Sequence, residues 1–212
     1  MTALIGKTFD TGILLVADTR ITNRGLATFK DDEKKIIVLN KRLVFAYAGV
    51  KNIIDRGLEE LRKSATTGST EEIMGEAKRL FSAALASFKK SYPGQSYATV
   101  IVFAGFKEND QTFACYFSSD DNFTKHSPLQ VFFKTFPNKE MPLLRDFLTY
   151  QIDYSKQDID YFVQKFSLAI RRIKNRYVSK NAYAVYLSQA EILEIKISGQ
   201  GKYIIHRLAI ND

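Results

Sequence analysis

The chain has 212 residues, 45% of them hydrophobic and 25% charged, which suits one compact domain with a sizeable core. A single cysteine, Cys115, excludes an internal disulfide; with no signal-like start and no apolar run near the ~20 residues of a membrane span, a cytoplasmic protein without a membrane partner is expected. The net charge of +8 comes from 31 Lys and Arg scattered among 23 acids, a dispersion that argues against nucleic acid as the main partner.

Two hydrophobic periods alternate along the chain. Ala3–Lys7 and Gly12–Asp18 read as strands joined by a turn at Phe9-Asp10-Thr11-Gly12, and Lys35–Leu39 and Leu43–Ala48 as a second pair around Asn40-Lys41-Arg42. Ile53, Ile54, Gly57, Leu58 and Leu61 then fit one face of a helix beginning near Lys51. Thr66-Thr67-Gly68-Ser69 breaks it, and Ser69 or Thr70 can cap a second helix carrying Ile73, Met74, Ala77, Phe81, Ala84, Leu85 and Phe88. Tyr97–Phe106 and Thr112–Ser118 return to strand character. Asp120–Ser127 is polar and loop-like, Leu129–Phe133 is a short strand, and Pro142–Tyr150 a short helix. A long helix is expected over Lys156–Tyr177, burying Phe162, Val163, Phe166 and Ile170 and carrying the densest basic cluster, Arg171, Arg172, Lys174 and Arg176. Tyr183–Leu187, Ile192–Ile197 and Tyr203–Arg207 close as strands.

This order predicts an α+β fold. Sheet faces and helix stripes must both be buried, and a four-layer αββα sandwich, two antiparallel sheets flanked by helices, accomplishes that. No repeat or linker interrupts the sequence, so 1–212 reads as a single domain. His126 and His206 lack metal-ligand spacing and no glycine-rich phosphate loop occurs, so neither a metal nor an organic cofactor is expected. Cys115, in a strand-like run, reads as a core thiol.

Four features of the first 50 residues line up: Thr2 after the initiator Met, Asp18 in Ala17-Asp18-Thr19-Arg20, Lys34-Lys35 before an apolar strand, and Ala48-Gly49 ending the next. Each has an ordinary reading alone: a second residue, a surface ion pair, a solvated flank, a turn. In this order, with Gly6 four residues after Thr2, they resemble the proteasome β-subunit family and its bacterial relatives, with one residue inserted between Arg20 and Lys35. The resemblance is strong over residues 2–50 and thins after 118, where Phe133–Leu148 looks loosely like the Anbu-type bacterial branch.

The resemblance implies an N-terminal nucleophile hydrolase, a threonine peptidase or amidase acting on peptide or unfolded protein. Thr2, freed of Met1, would be the nucleophile, with Lys35 as electrostatic activator, Asp18 as its partner and the Gly49 amide as oxyanion donor; Arg20 and Ser179 support them. Tyr47, with Ile37 nearby, would shape the substrate pocket. The chemistry is coherent: a threonine hydroxyl needs a base, and an α-amine of pKa about 7.7–8.0 can serve while a nearby ammonium favours the alkoxide. Family members form homo-oligomeric rings or helical stacks, and an unfoldase ATPase is a candidate partner.

The sequence also departs from the pattern. Active members carry an Asp shortly after the long helix and a Ser three residues later; here these positions align with Arg176 and Ser179, and the following Gly-Gly reads Lys180-Asn181. A second supporting Ser has no clear counterpart, Ser127 before Pro128 being the nearest. A guanidinium cannot do a carboxylate's work. The alternative is therefore a catalytically silent, structural proteasome-like subunit that forms a shell or binds a partner.

Overall fold

The computed structural model describes residues 2–23, 28–65, 68–127, 130–136 and 138–209. Antiparallel strands β1 (Thr2–Thr8) and β2 (Gly12–Asp18) are flanked by β10 (Val131–Phe136) on one side and by β11 (Ala182–Ser188), β12 (Ile192–Ile197) and β13 (Tyr203–Leu208) on the other, in the order β10-β1-β2-β11-β12-β13. The second sheet runs β5-β6-β7-β8-β9, from β5 (Ile36–Asn40) and β6 (Leu43–Gly49) through β7 (Thr99–Phe106) and β8 (Thr112–Ser118) to β9 (Thr124–His126). A short hairpin, β3 (Ile21–Asn23) with β4 (Thr28–Lys30), stands apart from both.

The period of two in the strands sorts residues into three apolar layers. Leu4, Leu15 and Ala17 of the first sheet meet Val44, Ala46 and Val102 of the second between the sheets. The alternate residues Ala3, Ile5, Leu14 and Val16 face α3 (Met141–Tyr150) and α4 (Ile159–Arg172). Phe45, Ile101 and Phe103 face α1 (Lys51–Ala65) and α2 (Thr70–Ser91). The result is the expected αββα sandwich. Because both faces of each sheet are covered, β1 and β2 are buried along nearly their whole length. Gly6 makes room for this packing: a Cβ there would lie 2.1 Å from the Phe132 ring, which would have to shift.

Ser69 caps α2 through a reciprocal capping box with Glu72, as its position before the apolar run suggests. Thr66 and Thr67, the expected break before it, lie outside the described residues. Several boundaries differ from expectation. The fourth helix spans Ile159–Arg172 rather than Lys156–Tyr177: Asp158 caps its start, and Ile173 turns extended at its end. The Lys180 ammonium donates to the carbonyls of Arg171, at 2.6 Å, and Ile173, supplying the donors that helix ends lack. Lys174 and Arg176 are therefore not on the helix, and the basic cluster is split; Arg172 instead stacks on Phe147. Strand β10 begins at Val131 and extends to Phe136, past the polar Lys134 and Thr135, because Thr135 is buried opposite Ala3; Leu129 lies outside the described residues. The polar stretch expected as loop contains β9, an edge strand, where polar residues are ordinary.

Cys115 is buried against Met74 and burial pushes its thiol up to about 12. His126 stacks on Tyr116 and pairs with Asp121. No cluster of three or more metal-ligating side chains occurs among the described residues, and no described helix is long and apolar enough to cross a membrane.

Candidate active site

Antiparallel pairing explains why residues distant in sequence meet. Strand β1 starts where β2 ends, since Leu4 lies opposite Ala17; β5 starts where β6 ends, since Ile36 lies opposite Ala46. Strand β11 also begins at that end, with Ala182 opposite Asp18. The start of β1, the end of β2, the approach to β5, the end of β6 and the approach to β11 thus converge, carrying Thr2, Asp18, Lys35, Gly49 and Ser179.

Asp18, 0% exposed, is the centre of the arrangement. Its Oδ1 accepts the Ala3 amide at 2.8 Å and the Lys35 ammonium at 2.9 Å. Its Oδ2 accepts the amides of Arg20 at 3.0 Å and Ser179 at 3.1 Å. Four donors satisfy a buried carboxylate, which would otherwise be costly to desolvate. Because the Ala3 amide is half of the peptide unit following Thr2, one carboxylate oxygen joins the chain start to the lysine. Burial lowers the pKa of Lys35, while Asp18, Glu33 and Asp31 oppose that shift.

Thr2 is 1% exposed and lines a cleft of about 840 Å³ that also contains Arg20, Lys35, Tyr47 and Gly49. Met1 lies outside the described residues. Gly49 has φ 121°, and a Cβ there would lie 2.2 Å from the Ala98 carbonyl oxygen, so only glycine fits. The Tyr47 hydroxyl donates to Glu33 at 2.6 Å, and Lys51 bridges Glu33 and Asp55. Burial, followed by the Glu33 carboxylate, raises the Tyr47 pKa. Ile37 does not line this cleft. It lines an adjoining cavity of about 550 Å³ that shares Glu33, Tyr47 and Lys51, together with its strand neighbours Ile36 and Val38.

Arg176 does not place its guanidinium in the site. That group is exposed and bonds the Tyr177 hydroxyl at 2.7 Å, while the Arg176 carbonyl accepts from Arg20. The carboxylate beside Ser179 is instead Asp31, which accepts two bonds from the Arg20 guanidinium, each 2.6 Å. Asp31 was not singled out from the sequence, nor were Phe29 and Lys30, which line the cleft from β4. The available signal was the acidic run Asp31-Asp32-Glu33 immediately before Lys34-Lys35. The poorly alignable Ser127 is exposed, and Pro128 lies outside the described residues.

The sequence profile described as Proteasome subunit matches residues 2–128. Among solved structures, a mutant form of Anbu from Hyphomicrobium sp. strain MC1 superposes with a TM-score of 0.67 at 15% identity, over 100% of this chain and 89% of that one. At that identity the likeness concerns the fold. No curated protein matches the chain in sequence.

Proposed function

Because this chain belongs to the proteasome subunit family, we propose that it is a threonine-type N-terminal nucleophile hydrolase cleaving peptide bonds through an acyl-enzyme on Thr2. The observation that carries this reading is the shared oxygen of Asp18, which holds the peptide after Thr2 and the Lys35 ammonium together beside the cleft. With Met1 removed, the Thr2 amine takes the proton of its own hydroxyl as Oγ attacks the substrate carbonyl. Lys35 favours the alkoxide electrostatically, and Asp18 keeps the lysine oriented. The Gly49 amide stabilises the oxyanion of the tetrahedral intermediate. The C–N bond then breaks, the leaving amine takes the proton, and water hydrolyses the remaining ester on Thr2.

Substrates on this reading are peptides or unfolded proteins, with Tyr47 and its Glu33–Lys51 network shaping the side-chain pocket next to the cleaved bond. The chain is further proposed to act as a homo-oligomer, a ring or helical stack. Family membership supports this, as do the exposed Ile204 and Ile205 on edge strand β13, an unprotected surface for a lone subunit.

The test is reaction with an N-terminal-threonine-directed epoxyketone after intact mass has established loss of Met1. A covalent adduct on Thr2, absent from Thr2→Ala and strongly diminished in Lys35→Ala, is expected. Processed protein that forms no adduct refutes the nucleophile and leaves the structural-subunit alternative.

A further inference from the structure

Two residues near the site each face two carboxylates. Arg20 gives its backbone amide to Asp18, at 3.0 Å, and its guanidinium to Asp31 through two bonds of 2.6 Å. Ser179 gives its backbone amide to Asp18, at 3.1 Å, and its hydroxyl, which accepts the Asn181 amide at 3.0 Å, faces Asp31. Asp18, Arg20, Asp31 and Ser179 therefore close a ring, in which the rigid parts face Asp18 and the rotatable parts face Asp31. A backbone amide positions itself through the fold, but a guanidinium and a hydroxyl need an acceptor to fix their rotamers. Asp31 is the acceptor for the guanidinium and lies beside the hydroxyl.

We propose that Asp31 is a positioning residue of the Thr2 site, the carboxylate that fixes Arg20 and orients Ser179 around Asp18 and adds a further negative charge facing Lys35. This assignment rests on the nucleophile reading given above. It also explains why no carboxylate is needed at position 176: the main-chain carbonyl there holds the remaining arm of Arg20, and the acidic function comes from the segment before β5. The charged groups involved are few. Lys35 is faced by Asp18 from β2 and by Asp31 and Glu33 from the approach to β5. Asp31 is faced by Arg20, Lys35 and Ser179.

The experiment compares processed wild-type protein with Asp31→Asn, Asp31→Glu, Ser179→Ala and the control Asp32→Asn, whose carboxylate pairs with Lys30 at the surface. The maximal rate of epoxyketone inactivation, the probe concentration for half-maximal rate, the pH profile of inactivation and the melting temperature are measured for each. In Asp31→Asn the maximal rate falls about tenfold to a hundredfold, the worth of one hydrogen bond to a charged group, with half-saturation unchanged. Its alkaline limb moves to lower pH, because one of the carboxylates sustaining the Lys35 ammonium has gone. Asp31→Glu keeps the charge, so its alkaline limb matches wild type and its rate is intermediate. Ser179→Ala, which cuts one arm of the ring but leaves the charge, lowers the rate without moving the limb; it carries the test should Asp31→Asn fail to fold. Asp32→Asn behaves as wild type.

A folded Asp31→Asn protein that reacts at the wild-type rate overturns the assignment while leaving Thr2 as nucleophile. So does a rate loss in Asp31→Asn that Asp31→Glu does not relieve and that comes with an unshifted limb and a lowered melting temperature, since that pattern belongs to stability alone. Absence of any adduct on processed wild-type protein overturns both readings.

Discussion

Replacing Lys35 by Met removes the ammonium and keeps most of the aliphatic stem, leaving Asp18 as a buried carboxylate without its cation. Both side chains are essentially excluded from solvent, 3% and 0% exposed, so salt and water screen little. Breaking a buried pair by removing one partner typically costs about 3–5 kcal/mol. Three amides, those of Ala3, Arg20 and Ser179, remain on Asp18 at 2.8, 3.0 and 3.1 Å, which places the expected loss toward 3 kcal/mol. For a chain of this length each kcal/mol moves the melting temperature by about 2–4 °C, giving a drop of roughly 6–12 °C. The assay is urea and thermal unfolding of wild type, Lys35→Met, Asp18→Asn and the double variant, combined as a thermodynamic cycle. The double variant, with neither charge, is expected to be more stable than Lys35→Met. A coupling energy below about 0.5 kcal/mol, the level at which independent sites add, would refute the buried charged pair on which the site is built.

Burial lowers the Lys35 pKa from the ordinary 10.5, so the folded protein sheds this proton before an unfolded chain does. Inactivation of Thr2 should therefore decline on the alkaline side before pH 10.5, while this group's contribution to stability rises over the same window, because the unfolded chain there binds more protons. Rate and unfolding profiles on one sample check the opposed signs. At the acid end, the Arg20 guanidinium holds Asp31 below its ordinary 3.8; the stability it contributes is complete above 3.8 and is lost as pH falls through the lower folded value, a component that acid titration of Asp31→Asn should lack. Gly49→Ala combines a φ of 121° with a Cβ 2.2 Å from a backbone oxygen, and is expected to cost at least about 3 kcal/mol in urea unfolding. Tyr47→Phe loses the 2.6 Å bond to Glu33 while Lys51 continues to hold that carboxylate, so a loss of about 1.5 kcal/mol is expected by the same measurement.

The sequence by itself determined the order of strands and helices and hence the α+β class. Short apolar runs bounded by turn residues in β1, β2, β6 and β7 and the three- and four-residue spacing of Ile73 through Phe88 are local signals, which no tertiary contact needs to supply. It also determined which residues to watch at the chain start: Thr2, Asp18, Lys35 and Gly49 lie at strand ends, and antiparallel pairing of neighbouring strands brings such ends together. What it could not determine was anything that depends on side-chain direction across non-adjacent segments. Aligned by position, Arg176 stood where a carboxylate was expected; in space its carbonyl, not its guanidinium, faces the site. Asp31 lies 148 residues before Ser179, and only the pairing of β2 with β11 brings their neighbourhoods together. Ile37 and Tyr47 both border the Glu33–Lys51 network, yet only Tyr47 reaches the Thr2 cleft. Local period fixes which face a side chain takes, but the long-range packing of one sheet on another decides what that face meets.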